Sequence, residues 1–548
     1  MSCTSGTCRD SCALIMRLSV AFLLVAACCI APHSGLPARA ANCETAPAAT
    51  PYSGAPVLLA REPLAPQRQS SSASRPLSGR PAQAERTPQA EPSTQAETWR
   101  RNPPPPKPSA QIKLPPAHEI PLPNGLTLVV VEDHRAPIVT FDIAVPVGEV
   151  NDPPGQTGLA EATADLLTEG SGSLSSKELA REIERLGGRI SSSSSPDFSE
   201  VSASVLAENA GRIIEIASDI LLRPSFPEQE VALYKNTKLE KLAIERQDPA
   251  FLVSEEFNRV IYGAHPYSAS APTPESVSRL SRSAVREFYE ANFGADGSIL
   301  VVVGDFDPSI MESRLRSIFG QWKGRPRTAG QFPTPPVRSD KKIYLVDRPG
   351  SDQADVRIGN LAVNRSSQDF IPLLIANTIL GGGTSSRLFL NIREQKGYSY
   401  DVSSSLAALK QYGTFFAATE TRNEVCARAI TEILAESDRF LKEKVSPNEL
   451  QNAKNYVTGN YSLLLSTQGG LANQILRTRL LGLDVDFLQT LKSRVEAVTL
   501  DQVMAVARRY ILTDRSAIVV VGDAARLKKS LESVAPVVAF QPEPAPPK

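Results

Sequence analysis

Histidine and cysteine are scarce in this 548-residue chain, and their scarcity excludes two common kinds of site. The four histidines stand at positions 33, 118, 134 and 265, so no two can share a helical turn and no helix-borne pair of imidazoles can bind a metal. Six of the seven cysteines lie at or before Cys43 and only Cys426 follows, which leaves the body of the chain no internal disulfide and makes core burial its source of stability. A surplus of either charge is also missing: Lys plus Arg and Asp plus Glu both total 59, which argues against nucleic acid or an anionic membrane surface as a partner. Past the first thirty residues no apolar run approaches the roughly 18 residues that a membrane span requires.

What is present divides the chain into stretches of different character. Residues 18–27 (LSVAFLLVAA), after Met16 and Arg17, read as the core of a signal peptide within residues 1–40, too short for a permanent span. Two processing schemes remain open: Val25-Ala26-Ala27-Cys28 resembles a lipoprotein site that would leave Cys28 lipidated, and Ala38-Arg39-Ala40 fits ordinary cleavage before Ala41. Export to a bacterial periplasm is expected either way, with membrane contact only through such a lipid. Residues 41–116, rich in Pro, Ala, Ser, Gln and Arg, carry too few apolar side chains to offset their ordering entropy and read as a disordered tether.

The body opens on a turn signal, Asn124-Gly125, between β-rich runs, followed by a second such run over residues 138–147. Helical patterns follow at 158–170, 176–186 and 227–247; the serine run at 191–195, leading into an alternating run at 201–205, suggests a solvent-facing strand edge. The strongest architectural signal is internal. VVVGD occurs at 301–305 and again at 519–523, each time after a helix-like segment, 283–293 in one case and 500–510 in the other. That recurrence predicts two copies of one α+β unit of about two hundred residues. The expected division is 117–323 and 339–536, with a joint at 324–338 and a tail at 537–548.

Residues 158–170 read GLAEATADLLTEG. The inverted zinc-peptidase motif H-x-x-E-H sets two His on one helical face, with a Glu as general base. Here those five positions are Glu161, Ala162, Thr163, Ala164 and Asp165, so both ligands have become carboxylates and the base has become a methyl group that cannot accept a proton. Glu161 and Asp165 could instead face calcium or magnesium, though two acids one turn apart more often form a solvated helix face.

Together with the NGL turn at Asn124, Asp248-Pro249, HPY at His265 and residues 380–406 (LGGGTSSRLFLNIREQKGYSYDVSSSL), these features resemble the pitrilysin and insulinase family of zinc peptidases, in particular the branch of the mitochondrial processing peptidase and its bacterial relatives. The resemblance runs from Pro121 to about Val534. It implies an α+β fold of two homologous domains, each an antiparallel-rich sheet packed with helices, facing each other as a clamshell. It also implies that Arg393 and Tyr400, seven residues apart, bind substrate carbonyls near the scissile bond, and that Gly381, Gly382 and Gly383 let the backbone approach a peptide. The family's third zinc ligand, a Glu about 75 residues past the motif, falls near Glu240 and Lys241. Without two His, no peptidase zinc centre follows from it.

The expectation is a zinc-free subunit of an exported heterodimeric peptidase. It would bind no cofactor itself, would be inactive alone, and would act on unfolded peptide with a homologous partner subunit that holds the zinc. The alternative is a non-enzymatic peptide-binding or assembly protein of the cell envelope.

Overall fold

Asn124 and Gly125 make the turn that joins strand β1 (Ala117–Pro121) to β2 (Thr127–Glu132), paired antiparallel. Gly125 adopts φ +91°, and a Cβ there would sit 2.5 Å from the Asp296 carboxylate, so both the turn and the close approach require glycine. The Asn124 amide donates to the carbonyls of Phe319 and Trp322, fastening the turn to the end of a helix nearly two hundred residues later. The structure, a computed structural model, describes residues 113–541 except 270, 326–330 and 485, all within one compact unit. The signal peptide, Cys28, the tether up to residue 112 and residues 542–548 lie outside the described residues.

The first half adds β3 (Ile138–Val145), a two-residue ladder of β4 (Gly170–Ser171) and β5 (Leu174–Ser175), then β6 (Arg189–Ser194), β7 (Ser199–Leu206) and β8 (Ile299–Gly304). Its helices are α1 (Leu159–Leu166), α2 (Ser176–Arg185), α3 (Ala210–Leu222), α4 (Glu228–Glu245), α5 (Pro249–Tyr262), α6 (Pro274–Arg279), α7 (Arg282–Asn292) and α8 (Pro308–Phe319). The second half holds β9 (Lys342–Asp347), β10 (Gln353–Ala362), β11 (Ser399–Ala408), β12 (Gly413–Arg422), β13 (Ala517–Gly522) and β14 (Val537–Phe540). Its helices are α9 (Phe370–Gly381), α10 (Asn423–Lys442), α11 (Pro447–Leu464), α12 (Gln468–Leu480), α13 (Phe487–Glu496), α14 (Leu500–Tyr510) and α15 (Ala524–Leu531).

The strand orders are β1-β2-β8-β3-β7-β6 and, read from the other edge, β14-β9-β13-β10-β12-β11. The two orders match position by position. The VVVGD strands β8 and β13 each lie between a parallel neighbour, β2 or β9, and an antiparallel one, β3 or β10. Only the outer position differs: β1 arrives antiparallel from the N-terminal side, β14 parallel from the C-terminal side. The tail expected from residue 537 therefore begins too early, because Val537–Phe540 pairs with β9 as the last strand of the sheet. At the other end Leu114, placed in the tether, packs against the core. The serine run forms β6, an edge strand whose residues alternate between exposed and half-buried.

Local chemistry sets the helix starts. Asp248 caps α5 by accepting from the Ala250 N–H at 2.9 Å, with Pro249 at the first helical position. Thr499 and Gln502 form a capping box at α14, as Ser446 and Glu449 do at α11. Asp523, the last residue of the second VVVGD, caps α15.

The two halves complete each other's cores. Helix α12 of the second half crosses β3 and β8, burying Leu471, Ala472, Ile475 and Leu476 against Val129, Val301 and Val303 of the first sheet. Helix α5 of the first half crosses β10 and β13, burying Leu252, Val253, Phe257 and Ile261 against Val519 and Val521 of the second. Truncating either contact should therefore weaken the whole body. We expect Leu476→Ala to cost about 2–5 kcal/mol and Phe257→Ala about 3–5 kcal/mol, each lowering the midpoint of one shared unfolding transition in urea. Two transitions, with only one displaced by each substitution, would contradict the reciprocal packing.

Candidate functional site

Helix α1 begins after Gly158, whose missing side-chain cap is supplied from a distance: the Asp152 carboxylate accepts from the N–H groups of Gly158 at 2.6 Å and Ala160 at 2.7 Å. This start turns Leu159, Ala160, Ala162, Thr163, Ala164 and Leu166 inward and leaves Glu161 and Asp165 half-buried on the other face. Ala164 is fully buried; the position at which the motif would carry its base contributes only a methyl group to the interior.

The residue facing Glu161 is Lys238 of α4, whose Nζ lies 2.5 Å from Oε1. The lysine side chain is only 10% exposed, so its charge is held among these carboxylates rather than in water. Of the two candidates for the third-ligand position, Glu240 is exposed on the far side of α4, whereas Lys241 lines the cavity beside Glu161 together with Lys238. That cavity, about 150 Å³, is also bordered by Glu149, Thr157 and Gly158. Burial, reinforced by Glu161 and Asp152, pushes the Glu149 carboxyl up to about 8, opposed by Lys238. Burial likewise raises Asp152 to about 7 against its backbone hydrogen bonds, and Asp165 to about 6, the latter held down by Lys238 and the neighbouring Tyr234 phenol.

Zinc does not fit this set of residues. It offers carboxylates and an ammonium, with no imidazole or thiolate. Among the described residues no group of three or more His, Cys, Asp or Glu side chains is arranged to hold a metal ion. His265 is fully buried elsewhere, accepting from the Tyr267 N–H, and His134 bridges Glu132 and Asp305 at the surface.

Arg393 and Tyr400 are brought to each other but not to this cavity. Residues Phe389–Gln395 form a π-helical turn, and from it the Arg393 guanidinium lies over the rings of Phe389 at 4.7 Å and Tyr400 at 5.0 Å. Tyr400 sits in the irregular pairing between Ser399 and Val402 and is 86% exposed. Of the three glycines, Gly381 is required by the chain's own packing, since a Cβ there would fall 2.3 Å from the Ser404 nitrogen. Gly382 rests on Thr378 of its own helix, and Gly383 faces open space.

A larger cavity of about 710 Å³ opens between α5, β10, β11 and β12. Glu149 and Ala269 line both it and the smaller one. Its walls carry the carboxyls of Glu149, Asp248, Asp355, Asp401 and Glu420 beside one guanidinium, Arg357, which stacks on Phe416 at 4.6 Å.

Lys238, Glu149, Asp152 and Tyr234 were not singled out from the sequence. A signal existed: Tyr234, Lys238, Lys241 and Glu245 recur at helical spacing beside the buried Val231 and Leu242, which puts charge on a face that is otherwise sheltered.

The raised carboxyls give the body a pH dependence of definite sign. A folded pKa above the unfolded one means that the native state keeps protons the unfolded chain releases, so stability falls as pH rises from near 4 and levels off above about 8. We expect thermal midpoints followed by circular dichroism to drop by several degrees between pH 5.5 and 8.5, each pKa unit being worth about 1.4 kcal/mol, and Glu149→Gln to flatten the slope. A midpoint that rises over this range would contradict the assignment.

Two family descriptions match the chain: "Insulinase (Peptidase family M16)" over residues 127–274 and "Peptidase M16 inactive domain" over residues 279–457. Among curated proteins, an uncharacterized zinc protease, YmxG of Bacillus subtilis, is 23% identical over 71% of this chain and 95% of its own length. A protein named "Non-peptidase homolog YmxG" of Helicobacter pylori is 22% identical over 68% of this chain and 86% of its own. In fold the chain is similar to a solved peptidase M16 inactive domain from Pseudomonas fluorescens, with a TM-score of 0.70 at 22% identity, covering 78% of this chain and 99% of that one. With both halves matched in order and the motif helix in its expected place, the chain belongs to the insulinase (M16) family, as a peptidase-like member whose motif lacks the zinc ligands.

Proposed function

We propose that this chain is the zinc-free subunit of an exported heterodimeric metallopeptidase, supplying Arg393 and Tyr400 to peptide-bond hydrolysis at zinc held by a homologous partner subunit. The observation that carries this reading is an asymmetry of engagement. Glu161 is occupied by Lys238, whereas Tyr400 projects into solvent under the Arg393 guanidinium. A fork of N–H donors beside a phenol suits the oxyanion that develops when a peptide carbonyl is attacked. Unfolded peptide is the substrate, and a segment bearing positive charge complements the carboxyl-rich walls of the larger cavity. Export to the periplasm rests on the apolar run at 18–27, and membrane attachment would come only from lipid at Cys28.

A second reading, a non-enzymatic peptide-binding or assembly protein of the cell envelope, is favoured by the relative in Helicobacter pylori that is named a non-peptidase homolog.

Co-expression with a homologue carrying an intact H-x-x-E-H separates the two. We expect neither chain alone to cleave a fluorogenic peptide efficiently and the mixture to do so. Arg393→Ala should lower the kcat/KM of the mixture about 10²-fold or more, as loss of an oxyanion donor does, and Tyr400→Phe by a smaller factor. Unchanged activity in both variants would refute the trans-acting role, and peptide binding without cleavage in the mixture would favour the second reading.

A further inference from the structure

We propose that two acids of α10, Glu432 and Glu436, are positioning residues for the arginine–tyrosine pair: bonded to Lys396 and Asn391, they hold the turn in the π register that lays the Arg393 guanidinium over Tyr400. The backbone shows the register first. The Lys396 N–H donates to the Asn391 carbonyl at 3.0 Å, a bond that spans five residues where an α-helix spans four. Such turns are rare, so contacts outside the turn are needed to select this one.

Helix α10 supplies them. The Asn391 amide donates to the Glu436 carboxylate at 2.8 Å, the two residues being 6% and 3% exposed, and the Lys396 ammonium pairs with Glu432 at 3.4 Å. Arg439, also on α10, pairs with Glu436 and offsets the burial of its charge. Glu432 and Glu436 are four residues apart and hence neighbours on one helical face. Asn391 and Lys396 are five apart, and in an α-helix their side chains would point about 140° away from each other. The wider turn brings both toward α10, so the spacing of the acids is matched to the π register and not to the α one. Arg393 lies between the two clamped residues, and its own carboxylate contact, Glu394 at 3.7 Å, is at the surface and too loose to aim it. Its direction comes from the backbone that carries it. An oxyanion donor works only within a narrow geometry, and a displacement of about 1 Å can cost about 10²-fold in rate.

What the clamp does for catalysis rests on the trans-acting reading above, whereas the clamp itself is tested in the isolated chain. With 3-fluorotyrosine placed at position 400 alone, the fluorine-19 resonance reports the guanidinium over that ring, and Arg393→Ala gives the position of the uncovered ring. Glu436→Ala and Asn391→Leu should each carry the resonance most of the way to that position. Glu436→Gln, which keeps an oxygen to accept from the Asn391 amide, should bring it back toward the wild type. The half-exposed Lys396 permits a milder substitution, Lys396→Met, which should move the resonance part of the way even if the buried variants fold poorly. Leu476→Ala, which weakens the body far from this turn, should leave it in place. A resonance that stays put in the Asn391, Glu436 and Lys396 variants would overturn the proposal, and so would an equal displacement by Leu476→Ala, because general loosening behaves in that way. In the mixture with a zinc-bearing homologue, Glu436→Ala should lower kcat/KM by up to about 10²-fold and add nothing once Arg393→Ala is present, as residues acting through one group do. A mixture without activity counts against the trans-acting reading alone, since the resonance decides the clamp by itself.

Discussion

Helix α12 lies across β3 and β8 of the first sheet, and α5 lies across β10 and β13 of the second. Each sheet has its own helices on one face and a helix of the other half on its other face. An apolar sheet face left open to water would forfeit about 1.5–3 kcal/mol for every large side chain exposed, so neither half can complete a core alone. Polar contacts fix the register of this exchange. The Gln468 amide, at the start of α12, donates to the carbonyls of Asp133 and Ala136 in the loop after β2. The Asp197 carboxylate in the β6–β7 turn accepts from the Tyr267 hydroxyl at 2.5 Å and from the Lys410 N–H in the β11–β12 turn at 3.1 Å. The walls of the larger cavity, drawn from α5 and the second sheet together, inherit their spacing from these contacts.

Charge is buried where elements meet, and its cost is met in two different ways. Beneath α12 the Asp142 carboxyl, raised by burial and by Glu200, is opposed by Arg477 of the other half and accepts from the Ser202 hydroxyl. Beside α1, Lys238 serves Glu161, Glu149 and Asp165 at once. The first arrangement ties one half to the other. The second keeps a helix seated although its outward face carries acids that repel one another.

Much of this was legible in the residues, for reasons that also mark where legibility ends. The VVVGD repeat foretold two matching sheets because a buried central strand is written as a continuous apolar run, whatever surrounds it. The caps at Asp248 and Thr499 were written within three residues of the helices they start. The outer strand β14 was missed because VVAF, between Pro536 and the Pro-rich end, is short and earns its strand conformation only by pairing with β9. Lys238 was missed because its meaning lies in a partner 77 residues away, and helical spacing shows which face a residue shares but not what that face meets. Of the glycines, only the tertiary approach of Ser404 to Gly381 shows that a run suggestive of ligand contact is partly spent on internal packing.

The two copies of the unit differ in the helix that follows their corresponding strands β3 and β10. Helix α1 follows β3, and by topology its counterpart after β10 is α9. Helix α9 reads FIPLLIANTILG, with nine of its twelve residues buried and no ionisable side chain, as a helix enclosed on all sides must be. Helix α1 has only eight residues yet carries two half-buried carboxyls, Asp165 and the cavity-lining Glu161, the latter paired with Lys238, with Glu149 and Asp152 just before the helix. Were α1 needed only to cover a sheet, apolar residues like those of α9 would do so at less cost, since each buried carboxyl carries a desolvation penalty that an alkyl group does not. The charge beside α1 therefore borders a cavity rather than a packed interior, and Glu149 and Ala269 border both it and the larger one.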